Sequence, residues 1–537
     1  MGFDWKERRR ELDELRTASD SGQLATYDLL VIGGGITGTA IARDAALRGC
    51  RVLLVEKGDF ADGTSSRSSK LVHGGVRYLE HGEFGLVAES TRERARLWKQ
   101  APELVRPLPF LFPAFEDSRV PLWKLDAGLW LYDILAAFRT PSLHRKYSAK
   151  ETRNQEPLLE KSGLTGSILY WDGATSDALL TLATMLDARA LGARCLPRVA
   201  FRGVEWSGAG EHHVVELQDQ VGGGDAPTFR VRARAVVAAT GPWIDGLGLL
   251  HRKSRLLATT RGSHIVVPGD KLPLRHAVVL IHPRDQRVLF AIPWGECSVL
   301  GTTDIFDQGS PDRVAISSDE VDYLIAAGND FFPRAKLERG DVRSAWSGLR
   351  PLLAPPDDAS ASEISRDHHI EWKEPGLLVI AGGKLTTHRE MAEQALDRIA
   401  IETKAWRKPL ARVFESGLTR KRELPRLGTL APHACAGPLE AKNSVGRPRF
   451  GRSEATMLDD ATLRKICREQ IVLTLEDFFV RRTDIFYKEP GNGLELLEKL
   501  KPLLREELGW DDDEWSRQVE TYRAYVHQQV GRALNRA

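Results

Sequence analysis

A strand, a glycine turn, a helix and a second strand follow one another without interruption in Tyr27 to Glu56, YDLLVIGGGITGTAIARDAALRGCRVLLVE. Leu29 to Ile32 is a continuous apolar run suited to a strand buried on both faces, and small and apolar residues recur at helical spacing from Ile36 to Leu47. Arg51 to Val55 supplies the second strand. Between the first strand and the helix stand Gly33, Gly35 and Gly38, spaced Gly-x-Gly-x-x-Gly, with Gly34 as an extra. One glycine permits the tight turn, one lets the backbone approach a pyrophosphate, and one lets the helix pack close on the strand, so that an anion can rest on the helix N-terminus. Glu56 closes the second strand, where its carboxylate can accept hydrogen bonds from a ribose diol. The glycines alone are a weak signal. With the strand before them, the helix after them and the acid at the end, they predict a dinucleotide-binding unit that serves NAD or FAD.

The rest of the chain has to be equipment for that unit. Its 537 residues have room for roughly two to four domains and a large buried cofactor. Lys and Arg number 76 against 74 acids, so no bulk charge recruits nucleic acid, and none is expected as a partner. Cys50, Cys195, Cys297, Cys435 and Cys467 form no Cys-x-x-Cys pair, which argues against a zinc site, an iron–sulfur cluster or a disulfide framework and favours a reducing compartment. No metal site is expected. The chain begins with an extension, residues 1–26, dense in charges of both signs, with only Phe3, Trp5, Leu12 and Leu15 as large apolar groups, which reads as a solvated helix. It has no apolar stretch of signal-peptide or membrane-spanning length, so the protein is expected neither to span a membrane nor to be exported.

After Glu56 the run Thr64 to Ser69 is too small and polar for a core element, and its hydroxyls suit a phosphate or sugar. Lys70, His73, Gly74, Gly75, Arg77 and Tyr78 follow within nine residues, a density unusual for a plain loop. Pro121 to Phe138 carries Trp123, Trp130, Tyr132, Leu135 and Phe138 among Lys124, Asp126 and Asp133, with Arg139, Arg145 and Lys146 beyond. That pattern fits a helix covering a protein core, and it fits aromatic groups at the headgroup level of a bilayer. Asp177 to Ala190 reads as a helix, and Val204–Trp206, His213–Leu217 and Phe229–Ala238 as a meander whose turn is marked by glycines 222–224. The meander ends in Ala239-Thr240-Gly241-Pro242-Trp243. Four further runs, beginning at His264, Ala277, Val288 and Ser298, predict an antiparallel sheet. Leu377 to Ile380 then enters a second glycine turn, Gly382 to Thr387, and a helix through Ala400, where backbone donors and a helix N-terminus are presented again.

The predicted fold is α/β: a Rossmann-like nucleotide-binding domain with an inserted antiparallel β-sheet substrate domain and a C-terminal helical domain. Within 27–400 the nucleotide-binding part takes roughly 27–100, 165–250 and 345–400, and the substrate part roughly 101–164 and 251–344. A polar linker, 401–453, leads to the helical cap, 454–537.

GGGITG, TSSRSSKLVHGGVRYLEHGEF and several later stretches, from about Tyr27 to about Glu393, resemble the FAD-dependent glycerol-3-phosphate dehydrogenases, of the D-amino-acid-oxidase-like flavoprotein superfamily. TLEDFFVRRTDIF, Thr474 to Phe486, resembles the C-terminal cap of the same family. The resemblance implies oxidation of sn-glycerol 3-phosphate to dihydroxyacetone phosphate by hydride transfer to FAD, with electrons passed to quinone. It implies a cytoplasmic protein lying peripherally on the inner face of the cytoplasmic membrane, with a homodimer as one possible state. The alternatives are a glycerol-3-phosphate oxidase that uses oxygen, and a non-enzymatic FAD-binding module. Carried over motif by motif, FAD falls to Gly33, Gly35, Gly38 and Glu56 at the adenosine end, Thr64, Ser65, Ser68, Ser69 and Leu71 along the middle, Val199 and Gly241, and Gly383, Lys384, Leu385, Thr386 and Thr387 near the ring.

A phosphorylated polyol carries about two negative charges and needs cations of fixed geometry. By resemblance, Arg77, Tyr78 and Lys384 hold the substrate, while Arg350 and Arg366 orient its hydroxyl end and stabilise charge during reaction. All four cations are read as lying in glycine-bounded or strand-end turns. Arginine stays protonated and is a poor base. His73 and His264 are therefore the candidate proton acceptors, since imidazole titrates near neutral pH. His73 could alternatively touch the flavin or bond to it.

Overall fold

The computed structural model describes residues 2–208, 211–221, 226–249, 255–282, 285–354, 368–405, 417–425, 427 and 459–535. Arg366, Cys435, the glycines at 222–224 and most of the 401–453 linker lie outside the described residues.

Among the described residues the main strands form two sheets, of eight and ten strands. The first contains β1 (Thr26–Ile32), β2 (Val52–Glu56), β7 (Arg194–Pro197), β8 (Val199–Glu205), β9 (His213–Asp219), β10 (Thr228–Ala238), β17 (His368–Glu374) and β18 (Leu377–Gly382). Its order is β17-β18-β10-β1-β2-β7, with β9 on β10 and β8 on β9. Strands β18, β10, β1, β2 and β7 all run parallel, as expected of a doubly wound nucleotide-binding sheet. Alternation along β1 sends Leu29 and Val31 toward α2 (Ile36–Leu47), α6 (Asp177–Ala190) and α8 (His388–Ala405), and Leu30 and Ile32 into a second core with the meander. Burial of side chains of this size is worth about 1.5–3 kcal/mol each, so both faces have to be covered.

The second face is covered partly by the N-terminal helix α1 (Trp5–Asp20). The extension is therefore more than a solvated helix. Leu12 and Leu15 enter the second core, and Phe3 lies under the Arg189 guanidinium, 3.6 Å from its ring centroid. Arg8 is buried and donates to the Pro197 carbonyl at 2.9 Å and to Asp219 at 2.5 Å. Three of the four large apolar groups of the extension are buried, Leu12 and Leu15 in the second core and Phe3 in the main one, which a thin stripe of hydrophobicity does not reveal.

The second sheet holds β3 (Leu71–Val72), β4 (Val105–Phe115), β5 (Arg145–Ser148), β6 (Leu164–Thr175), β11 (Leu257–Pro268), β12 (Ala277–Ile281), β13 (Val288–Trp294), β14 (Cys297–Gly301), β15 (Ile305–Phe306) and β16 (Ser344–Leu353). β11 to β14 pair antiparallel as expected, but β12 pairs parallel with β4, and β6 and β16 also belong here. The residues 165–175 and 345–353 thus leave the nucleotide-binding part to which the sequence boundaries gave them. The reason is continuity: β6 runs straight into α6, so the chain changes sheets inside one strand–helix unit with no turn residue to mark it.

Helices α3 (Phe84–Gln100), α4 (Leu122–Leu135), α5 (Ala149–Gln155) and α7 (Ser318–Phe331) border this sheet. The C-terminal helices, led by Asp460–Glu469, Leu497–Leu508 and Asp512–Val526, share the main hydrophobic core with the rest of the molecule. They are also locked to it by charge. Arg481 and Arg482, both buried, reach Asp59 at 2.6 and 2.8 Å, and Arg481 also meets Asp62, Glu476 and Asp477. Burial opposes ionisation of Asp477, yet Arg198, 2.7 Å away, and then Arg481 and Arg482 hold its carboxyl well below the usual carboxylate range. No helix of the described residues is long and apolar enough to cross a membrane.

Candidate active site

A cleft of about 990 Å³ runs along the carboxyl ends of β1, β2, β10 and β18, where open parallel sheets bind ligands. Gly35 caps α2 without a side chain, and the Ile36 amide donates to Ser65 Oγ at 2.9 Å. Gly33 holds φ at +111°, and a Cβ on Gly38 would lie 1.9 Å from the Gly33 carbonyl oxygen. Glu56 receives the Gly34 amide at 2.6 Å and the Gly58 amide at 2.8 Å. Burial raises its carboxyl above the ordinary value, and the two amides pull the other way.

Thr64, Ser65 and Ser68 line the cleft, as do Gly33, Gly35, Glu56, Val199, Gly241, Gly383, Lys384 and Leu385. At the far end Gly382 and Gly383 take φ of +75° and +82° before the helical turn Leu385–Thr387 and α8. Burial lowers His388, the first residue of α8, to about 4, and its Nδ1 lies 2.8 Å from the Leu385 carbonyl as a neutral donor would. Positive character at this end therefore comes from Lys384 and the helix terminus. A cleft of this size, with a glycine turn leading into a helix at each end and hydroxyls between, fits an extended dinucleotide such as FAD.

Five expected cofactor residues do not line it. Gly38 packs against Gly33, Ser69 turns to His264, Leu71 is in the core, and Thr386 and Thr387 are buried. Thr386 bonds to the His73 backbone amide at 3.2 Å and carbonyl at 3.3 Å, tying the second glycine turn to the first motif.

The turn that carries His73 is fixed from below. The Gly74 amide donates to Asp172 at 3.0 Å and to the Tyr132 hydroxyl at 3.1 Å, and Asp172 is paired with buried Arg94. Burial drives the Tyr132 hydroxyl well above its ordinary value, so it remains a neutral donor. Arg77 and Tyr78 follow in the helical turn Val76–Leu79, and the Lys384 ammonium lies 3.7 Å from the Tyr78 ring centroid. Two motifs about 300 residues apart in sequence meet there.

His264 sits on β11, buried, its ring stacked on Trp346 at 4.7 Å and 11°. Nε2 is 2.8 Å from Ser69 Oγ, and Nδ1 is buried with no hydrogen-bond partner among the described residues. Burial holds its pKa well below the ordinary value, and Arg350 and Lys70 press the same way. Arg350 is not in a turn as expected but within β16, opposite Thr260. Its guanidinium is clamped by Asp304 at 2.9 Å, Thr302 Oγ1 at 2.8 Å and the Thr303 carbonyl at 3.3 Å. Tyr78 and Lys384 thus meet where the first motif reaches the second glycine turn, while His264, Trp346 and Arg350 lie on the second sheet with Ser69 hydrogen-bonded to His264.

Sequence reasoning missed Asp177, which accepts from Ser68 N at 3.1 Å, Ser68 Oγ at 2.7 Å and Lys70 Nζ at 2.8 Å and so shapes the hydroxyl run. It also missed Trp243, Lys57 and Asp312, which meet across the cleft mouth: Asp312 accepts from Trp243 Nε1 at 2.8 Å and from Lys57 at 2.6 Å. The tryptophan after the Ala-Thr-Gly turn was the available signal.

The FAD dependent oxidoreductase family matches residues 28–398 of the chain. A glycerol-3-phosphate dehydrogenase from Synechocystis is 37% identical over 94% of this chain and 97% of its own length. An aerobic glycerol-3-phosphate dehydrogenase from Staphylococcus epidermidis is 38% identical over 70% of this chain and 68% of its own. Among solved structures, the glycerol-3-phosphate dehydrogenase from Bacillus halodurans complexed with FAD superposes with a TM-score of 0.72 at 29% identity, covering 98% of each chain. The chain belongs to the FAD-dependent oxidoreductases, in the family of the glycerol-3-phosphate dehydrogenases.

Proposed function

We propose that the protein oxidises sn-glycerol 3-phosphate to dihydroxyacetone phosphate and passes the electrons to quinone. The observation that carries this reading is Lys384, which lines the cleft and lies over Tyr78, so that a cation expected to hold the phosphate stands where the flavin would bind. FAD, when bound, supplies the hydride acceptor. Arg77 and Lys384 bind the phosphate, and Tyr78 positions Lys384. Arg350, oriented by its clamp, points the secondary hydroxyl, with Arg366 as its proposed companion. His264 takes the hydroxyl proton: it is neutral, and its Nδ1 has no protein partner among the described residues. FAD is held by the cleft-lining residues, with Gly38, Ser69, Leu71, Thr386 and Thr387 shaping the backbone around it.

Anaerobic mixing with glycerol 3-phosphate is expected to bleach the oxidised flavin band at millimolar substrate. No bleaching would sink the proposal. Parallel oxygen and quinone assays on the same preparation assign the acceptor, and oxygen uptake that keeps pace with flavin reduction would make the protein an oxidase instead.

Delivery to quinone requires contact with a bilayer, and α4 offers one. Its inner face buries Leu125, Leu129 and Tyr132, while Trp123 (69% exposed), Trp130, Ile134 (56%), Phe138 and Leu143 face outward among exposed Lys124, Arg139, Arg145 and Lys146. The core reading holds for the inner face, and the bilayer reading is the one proposed for the outer face. Aromatic groups rimmed by cations suit an anionic interface. Replacing Trp130, Ile134 and Phe138 by serine is expected to lower partitioning onto anionic vesicles at least about tenfold, given about 1.5–3 kcal/mol per buried side chain, with flavin reduction by glycerol 3-phosphate unchanged. Co-sedimentation equal to that of the parent protein would remove this surface from consideration.

A further inference from the structure

We propose that Lys70, held by Asp177, is a positioning residue for His264, fixing its ring through Trp346 and setting a positive charge behind it. The inference rests on the reading of His264 as the proton acceptor.

Lys70 is buried, its backbone at φ +56°. Its ammonium lies 5.0 Å from the Tyr487 ring, 5.5 Å from Trp346 and 5.7 Å from Trp294, and donates to Asp177 Oδ1 at 2.8 Å and the Ser66 carbonyl at 3.0 Å. Trp346 is the shared wall. One contact of its ring is the His264 stack, and its indole N–H donates to the Ser68 carbonyl at 3.2 Å. Ser68 is bound to Asp177 and Ser69 to His264, so residues 66 to 70 are strung between the ion pair and the imidazole. Tyr487 comes from the C-terminal cap, which gives the cap a direct hold on this assembly.

A buried ion pair is a costly way to fill space, since apolar side chains of similar volume do it at least as well. Its charges act on what lies nearby. The charged side chains that bias His264 are Arg350 from β16 and Lys70 from the hydroxyl run, with Asp177 of α6 and the neutral Tyr487 phenol behind Lys70, and Gly301 facing the ring from β14. A cation in this place disfavours imidazolium and keeps the ring ready to accept a proton.

The test reads His264 directly, by NMR of flavin-bound protein labelled at histidine Cε1, with His264→Asn assigning the signal, and in parallel by the pH profile of flavin reduction. Lys70→Met removes the cation and leaves the Asp177 carboxylate behind, so the His264 titration should rise by about one pH unit or more, and the acid limb of the rate with it. Asp177→Asn leaves the cation alone, and the titration should hold or fall. Lys70→Met/Asp177→Asn removes both buried charges, protects against a single variant that does not fold, and should lie between. Damage to packing alone would move the variants in one direction. A Lys70→Met titration that superimposes on the parent, or a common direction for both single variants, overturns the proposal. The NMR titration needs no substrate, so it stands or falls separately from the assignment of glycerol 3-phosphate.

Discussion

Gly38→Ala is expected to yield folded protein that has lost its FAD, with affinity down at least about a hundredfold, or about 2.7 kcal/mol. The added Cβ would stand 1.9 Å from the Gly33 carbonyl oxygen and 3.1 Å from its carbon, where carbon contacts settle near 3.5–4.0 Å. Neither neighbour is the end of a flexible side chain. The first turn of α2 has to lift from β1, and the Ile36 amide leaves the edge of the cleft that it shares with Ser65. Overpacking of this kind costs about 1–3 kcal/mol, and here the strain falls on the donors that a pyrophosphate needs. Gly85→Ala, exposed on α3 and outside the cleft, makes a control, because its Cβ would meet nothing within 4 Å. The measurement is flavin absorbance per mole of purified protein, with circular dichroism to confirm the fold. Stoichiometric, tightly held FAD in Gly38→Ala would show that the close helix–strand approach is not what the site depends on.

That glycine could be read from the sequence because its constraint is local. The same holds for α6, expected and found at 177–190, and for the strand entering the second glycine turn. Period, glycine spacing and turn residues all act within about twenty positions of chain. The parts that escaped are settled by partners far away. Lys70 looks like a surface cation of a polar loop until Asp177, 107 residues on, neutralises it inside three aromatic rings. Arg481 and Asp59 are 422 positions apart, so nothing near either one says that the cap is bolted to the cofactor loop. The N-terminal helix shows too few apolar residues to predict docking, yet its Arg8 finds Asp219 across the sheet. In the candidate site the split is similar. Motifs named the residue types and the cleft, while the choice between two histidines needed burial and hydrogen-bond partners.

That choice leads to the second large effect. His264→Asn should slow flavin reduction by about 10²–10⁴-fold, the usual contribution of a positioned base, with substrate affinity changed only a few-fold. Asparagine can still reach toward Ser69 and leaves the Trp346 face in place, but it cannot take a proton. The pH dependence gives an independent check. Burial first, then Arg350 and Lys70, hold the His264 pKa well below its ordinary value, so the ring is neutral at pH 7 and should remain so some way into acid. Protonation then removes the acceptor, so the parent rate should fall on the acid side, at a pH below the ordinary imidazole range, while the variant should lack that limb. His73→Asn serves as the comparison, since His73 is the other candidate proton acceptor, and a change within a few-fold is expected if His264 is the base. An unchanged single-turnover rate in His264→Asn would exclude it as the base, and a large loss confined to His73→Asn would move the proton to the first motif, leaving the buried ring on β11 as packing for Trp346.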